Sequence, residues 1–146
     1  MEVDFNHDTY VQVLEKLIPF HGFINLKVLE LKEGYCKMEI PFNPVLVGDP
    51  RTQRWHGGIV ATILDAVGGA SGFHLLNDPS DKISTMDMRV DYLNGGKPEP
   101  IIAQGWLTRK GNHSFHCKSE AYNKSNPSRI IAQGSAVLDI KIKNSS

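Results

Sequence analysis

His56-Gly57-Gly58-Ile59-Val60-Ala61-Thr62-Ile63-Leu64-Asp65-Ala66-Val67-Gly68-Gly69-Ala70-Ser71-Gly72-Phe73-His74-Leu75-Leu76 is the stretch on which the reading of this chain turns. From Gly57 to Leu76 the side chains are small or apolar, and the one full charge is Asp65. About twenty such residues would suffice to cross a membrane. Five glycines, a central carboxylate and a strand-rich remainder point instead to a helix buried on nearly all sides inside a water-soluble protein. Gly68, Gly69 and Gly72 each cost a helix about 1 kcal/mol relative to Ala. Something must therefore pack against them more closely than larger side chains would allow.

The start of this helix carries the chemistry. Paired glycines leave backbone N–H groups without side-chain cover, and the helix dipole adds positive character there. A carbonyl oxygen gaining negative charge would be stabilised at that spot. Asp65 follows Gly58 by seven residues, two helical turns, so it projects from nearly the same face. Its neighbours Ile63, Leu64, Ala66 and Val67 give it a desolvating setting, which suits a base working near neutral pH. The alternative is an acid that caps a neighbouring loop or bridges subunits.

Outward from the helix, the chain alternates between turns and extended segments. Upstream, Val11, Val13, Leu14, Leu17 and Ile18 predict a helix over about residues 8–19, ended by Pro19 and Gly22. Asn25 to Phe42 reads as a β-hairpin hinged at Glu33-Gly34, with Cys36, Met38 and Ile40 on its covered face. Asn43 to Trp55 has no periodicity and reads as a long loop. Downstream, four strands follow. Met86, Met88, Val90 and Tyr92 alternate with Thr85, Asp87, Arg89 and Asp91 across one covered and one wet face. The others are Ile101 to Arg109, a third around Phe115 to Tyr122, and a last with Ile130, Ala132, Gly134, Ala136, Leu138 and Ile140 inward. The sum is an α+β chain, an antiparallel sheet around one long helix with a short N-terminal helix, forming one domain over 1–146 with its core at about 25–142. One helix cannot cover both faces of such a sheet, so self-association through a symmetric interface is expected.

Composition removes several function classes. Sixteen basic and sixteen acidic side chains balance, which leaves no global field for nucleic acid or an anionic membrane. Cys36 and Cys117 read as reduced packing residues, and Met1 to His7, with Glu2 and Asp4, does not resemble a secretion signal, so the cytoplasm is the expected compartment. His113 and His116, three apart on an expected strand, point to opposite faces, and no His-Glu-x-x-His or Cys-x-x-Cys is present, so no metal is expected. Ser71 and Ser114 lack the Gly-x-Ser-x-Gly elbow. Gly95-Gly96-Lys97 precedes a proline and not a helix, which excludes a phosphate-binding loop. No cofactor is called for.

His56-Gly57-Gly58 with Asp65 at this spacing, followed by Thr85-Met86-Asp87-Met88-Arg89-Val90-Asp91-Tyr92-Leu93, resembles the phenylacetate-pathway (PaaI-type) branch of the hotdog thioesterases. The likeness extends through Arg109-Lys110-Gly111-Asn112 and Ile131-Ala132-Gln133-Gly134, and covers roughly residues 25 to 142. It implies hydrolysis of an acyl-coenzyme A, an acyl or aryl-acyl thioester, by a homodimer or dimer of dimers. Gly57 would present its amide to the thioester oxygen, with Gly58 beside it, and His56 would shape the turn. Asp65 would activate water or attack the thioester itself, and Thr85 would hold Asp65 or the water. In such enzymes two helices pair antiparallel and the acid faces the partner's glycine turn, which would also account for the close packing at the helix glycines. The family's usual amide side chain before the His-Gly-Gly turn is missing, since Asp49-Pro50 occupies the aligned place; Gln53 or Asn43 would have to substitute. For the coenzyme A phosphates the candidates are Arg89, Arg109, Lys110 and Lys118, then Arg51 and Arg54, with Asn112 as a further substrate contact. Two rivals remain: a hotdog hydroxyacyl-thioester dehydratase, which needs a paired His and acid, and a non-catalytic acyl-CoA-binding domain.

Overall fold

The computed structural model describes residues 7–143. Met1 to Asn6, read above for a leader, lie outside the described residues. The chain opens with α1 (His7–Gln12), widens into a π-helical turn (Val13–Leu17), breaks at Ile18 and resumes as α2 (Pro19–Phe23). The expected stop at Pro19 is thus a restart, because proline at the first helical position loses no hydrogen bond. Next come β1 (Lys27–Lys32) and β2 (Tyr35–Ile40), turning at Glu33-Gly34 as expected, with Gly34 at φ 75°. The segment expected to be a structureless loop instead forms a turn of 3₁₀ helix, Pro44–Leu46, and a small hairpin of β3 (Val47–Asp49) and β4 (Arg54–Trp55).

The central helix α3 spans Gly57–Ala70, shorter than the apolar run, which finishes in a 3₁₀ turn at Phe73–Leu75. Then follow β5 (Lys82–Tyr92), β6 (Ile101–Lys110), β7 (Ser114–Asn123) and β8 (Ile130–Lys141). Six of the strands form one antiparallel sheet in the order β1-β2-β6-β7-β8-β5, curled around α3. This is the hotdog arrangement.

Val60, Ile63, Leu64 and Val67 are fully buried at helical spacing and meet Met38, Ile40, Ile101, Ala103, Ala121 and Ala132 of the sheet. Burying each such aliphatic side chain stabilises the fold by about 1.5–3 kcal/mol. The helix glycines do have the close neighbours their cost implied, but within this chain. A Cβ on Gly68 would stand 2.7 Å from Cys117 Sγ, and one on Gly72 would stand 2.5 Å from the Phe115 ring. Gly105 of β6 lies directly under the α3 backbone, where a methyl group would collide with the Val67 carbonyl. The glycines seat the helix on its own sheet and demand no second subunit.

The helix is not covered all round. Gly58 is exposed, and Ala61, Thr62, Asp65 and Gly69 are half-buried, a stripe along the side away from the sheet. The long strand β5 is a free sheet edge, with Met86 exposed on it and Leu93 exposed just past its end.

Candidate active site

His56 is the N-cap of α3. Its Nδ1 accepts from the Gly58 N–H at 2.9 Å, which fixes the ring across the turn. The carbonyl of the same Gly57–Gly58 peptide accepts from the Tyr92 hydroxyl at 2.7 Å. That peptide is therefore clamped at both ends. The Gly57 N–H, one position earlier, has no acceptor among the described residues and stands at the positive end of the helix. It is a donor held still with nothing to donate to, which is what stabilising an oxyanion requires.

Asp65 lies two turns further on, half-buried, and its Oδ1 accepts from Thr85 Oγ1 at 2.7 Å. Oδ2 has no partner among the described residues. Thr85 reaches Asp65 only because β5 carries a bulge between Thr85 and Asp87, with Met86 as the extra residue. Thr85 pairs with the buried Leu138, and past the bulge Met88 pairs with Ala136, so both face the helix. The strict alternation expected for this strand put Thr85 on the wet face and Met86 on the covered one; Met86 is 65% exposed. One inserted residue inverts both assignments.

Eight residues separate Gly57 from Asp65, about 12 Å along the helix axis. One carbonyl cannot contact both. Sharing a helix face does not place the two groups in one site.

The remaining candidates fall in three places. In the loop before the helix, Asp49 accepts from the Arg51 side chain and backbone, which hold its carboxyl below the usual carboxylate range. Gln53, at φ 57°, turns its amide back to the Pro50 carbonyl at 2.8 Å, and Asn43 caps the Pro44–Leu46 turn through Val45 N–H. Neither amide is directed at the Gly57 turn. Arg89 and Lys118 lie on the sheet face opposite the helix, Arg89 paired with Asp91 at 3.2 Å. Arg109 and Lys110, at the end of β6, and Asn112, in the turn to β7, sit exposed at the end of the sheet remote from Gly57.

Tyr92, expected as one more inward strand residue, instead holds the Gly57 carbonyl, a role that nothing in its local sequence signals. Arg54 and Arg129 meet at the loop after β5, where the Arg54 stem lies over Gly95 and Arg129 Nη1 donates to the Gly95 carbonyl at 3.0 Å. His113 precedes β7 and does not lie on it, and among the described residues no group of three or more His, Cys, Asp or Glu could hold a metal ion. Cys36 and Cys117 are both free and buried.

Residues 53–129, just over half of the chain, match the thioesterase superfamily. YigI, a medium/long-chain acyl-CoA thioesterase of Escherichia coli K12, is 26% identical over 119 residues, which cover 73% of this chain and 77% of that protein. A crystal structure from Shewanella oneidensis related to the same superfamily superposes with a TM-score of 0.80 at 28% identity, over 90% of this chain and 93% of that one. A thioesterase family protein from Silicibacter pomeroyi superposes at 0.83 over 94% and 99%. At 22% identity that likeness speaks to the fold alone.

Proposed function

The chain belongs to the thioesterase superfamily and is a thioester hydrolase, and from that premise we propose that it cleaves an acyl- or aryl-acyl-coenzyme A at a site shared by two copies of the chain. The observation that carries the proposal is the separation of an unengaged Gly57 N–H from a Thr85-held Asp65 by about 12 Å of rigid helix. A second copy, packed antiparallel along the open stripe of α3, would bring its own Asp65 to this Gly57. The symmetry axis would pass near Ala61, midway between the two groups, where side chains are small enough for helices to approach. The free edge of β5, with Met86 exposed, would be covered by the same association.

In this arrangement the thioester oxygen accepts from Gly57 N–H. Asp65 of the other copy takes a proton from water as the water oxygen bonds to the carbonyl carbon. The tetrahedral oxyanion forms where the helix dipole and the Gly57 amide stabilise it. Its collapse breaks the C–S bond, and the proton held by Asp65 passes to the leaving sulfur, releasing the acid and the coenzyme A thiol and restoring the carboxylate. Thr85 holds Oδ1, so that Oδ2 faces the water. With the loop amides turned away, polarisation of the carbonyl rests on backbone alone. A dehydratase would need a histidine paired with the acid, whereas among the described residues the hydrogen-bond partner of Asp65 is Thr85. The whole chain is proposed to act as one domain, in the cytoplasm, where its two free buried thiols would persist.

Release of free thiol from a panel of acyl-coenzyme A esters, varied in chain length and including aryl-acyl groups, tests the assignment. Turnover by the wild type that is abolished by both Asp65→Ala and Asp65→Asn is the expected result. Tight binding without release would indicate a binding domain, and equal turnover by Asp65→Asn would remove Asp65 from the chemistry.

A further inference from the structure

A groove of about 340 Å³ begins at Gly57 and Tyr92 and runs past Leu93 and Asn94 to the Gly95-Gly96 loop. Three cations belong to or touch that loop. The Arg54 stem lies over Gly95, with Cδ 3.4 Å from where a Cβ would stand, and Arg129 donates to the Gly95 carbonyl at 3.0 Å. Lys97 follows two residues later. Its backbone is bracketed by Asn123, whose Oδ1 accepts from Lys97 N–H at 3.0 Å and whose Nδ2 donates to Lys97 O at 3.1 Å. Lys97 and Arg129 also line one small cavity with Asn123, Ser125 and Asn126.

These charges are uncompensated. Among the described residues, Arg51 pairs with Asp49, Arg89 with Asp91 and Lys124 with Glu39, while Arg54, Lys97 and Arg129 have no carboxylate within ion-pair distance. The acid on the same loop, Glu99, accepts from the Ser125 hydroxyl instead. An arginine guanidinium offers a planar fork of donors matched to phosphate oxygens, and Arg129 uses Nη1 alone on Gly95. The groove thus leads from the Gly57 turn to the loop that carries these cations, past Leu93, Asn94, Gly95 and Gly96.

We infer that Arg54 and Arg129, with Lys97, bind the phosphates of the coenzyme A moiety, and that the groove between them and Gly57 carries its pantetheine arm. This rests on the thioesterase reading of the Gly57 turn and assigns the part of the substrate that the turn does not touch. It moves phosphate recognition away from Arg89 and Lys118 on the far face of the sheet and from the remote Arg109-Lys110 turn.

The test compares one acyl group carried on coenzyme A, on 3′-dephospho-coenzyme A and on pantetheine. The wild type should prefer the coenzyme A ester over the pantetheine ester by about 100-fold in kcat/KM, since two charge-assisted contacts are each worth about tenfold or more. In Arg54→Ala/Arg129→Ala this preference should collapse to less than about threefold, through KM and not kcat. The 3′-dephospho ester tells which phosphate is held: a loss already present there assigns the 3′-phosphate, a loss only with pantetheine the diphosphate. Arg54→Lys/Arg129→Lys, which keeps the charge and the stems over the loop, should retain an intermediate preference. A wild type that turns over all three esters equally overturns the inference and leaves the hydrolase reading standing. So does a double alanine variant that keeps the full preference. A wild type inactive on every ester overturns the reading beneath it.

Discussion

If each active site takes its amide from one chain and its acid from another, two inactive variants should restore one another, and the fraction restored follows from symmetry. Gly57→Pro removes the donor with little other disturbance. Gly57 is the first helical residue, where proline is favoured, and His56 before it sits at φ −63°, ψ 127°, the extended backbone that a following proline imposes. The Gly57 N–H has no acceptor to lose among the described residues, and a Cβ there would meet the Tyr92 ring at 3.4 Å, an ordinary contact. Loss of one oxyanion donor should lower kcat by about 10²- to 10³-fold, or roughly 3–4 kcal/mol of barrier. Asp65→Asn removes the base. Co-expressed in equal amounts, the two chains assort to about one half heterodimers. In each heterodimer one site has both native groups and the other has neither. The mixture should therefore recover about one quarter of wild-type activity, and heterodimer isolated through two affinity tags about one half. The assay is thiol release per mole of chain. Activity no greater than the sum of the two parents would show that each site lies within one chain. Wild-type turnover by Gly57→Pro alone would show that its amide does not polarise the carbonyl.

Three further outcomes are expected. Tyr92→Phe keeps the ring against Gly57 but frees the Gly57 carbonyl, so kcat should fall by about tenfold with KM nearly unchanged, and the Gly57 carbonyl ¹³C resonance should shift upfield. Gly105→Ala sets a methyl against the Val67 carbonyl, with backbone on both sides, and should cost about 3 kcal/mol or more of stability by urea denaturation. Burial pushes the Cys117 thiol from 9.0 up to about 11 and the Cys36 thiol up to about 12. Unfolded thiols ionise above about pH 9 while the buried ones keep their protons, so this stability is complete below that pH and drains as the pH rises through about 11. Cys117→Ala should flatten the decline of the urea midpoint over that range.

The fold was legible because its decisive signals are local. The apolar run from Gly57, the period-two strands and the Glu33-Gly34 turn each follow from side-chain chemistry within a few residues. Where local rules compete, the structure departs from them. Pro19 both ends one helix and begins another. The run from Asn43 to Trp55 has too few residues per strand to show a period, so its small hairpin was invisible. The bulge at Met86 inverts a strand face, and no feature of Thr85-Met86-Asp87 announces it.

The candidate site was legible by residue type and not by geometry. A lone acid, a glycine turn and a hydroxyl on the next strand stand out in the sequence, but whether they meet depends on lengths that only the folded chain supplies. The helix places Gly57 and Asp65 on one face and, by the same rise per residue, holds them too far apart to act together. The bulge does the converse, bringing Thr85 to Asp65 across an expected face. The two facts constrain each other. Thr85 is spent on Asp65 in its own chain, so the acid arrives at any shared site already oriented, and the partner need supply only the Gly57 turn. That turn is in turn fixed by His56 and Tyr92 of its own chain. In the proposed dimer each half-site would be oriented by its own chain, assembly would bring the two pieces together along one helix face, and a small side chain at Ala61 would be the steric condition for that approach.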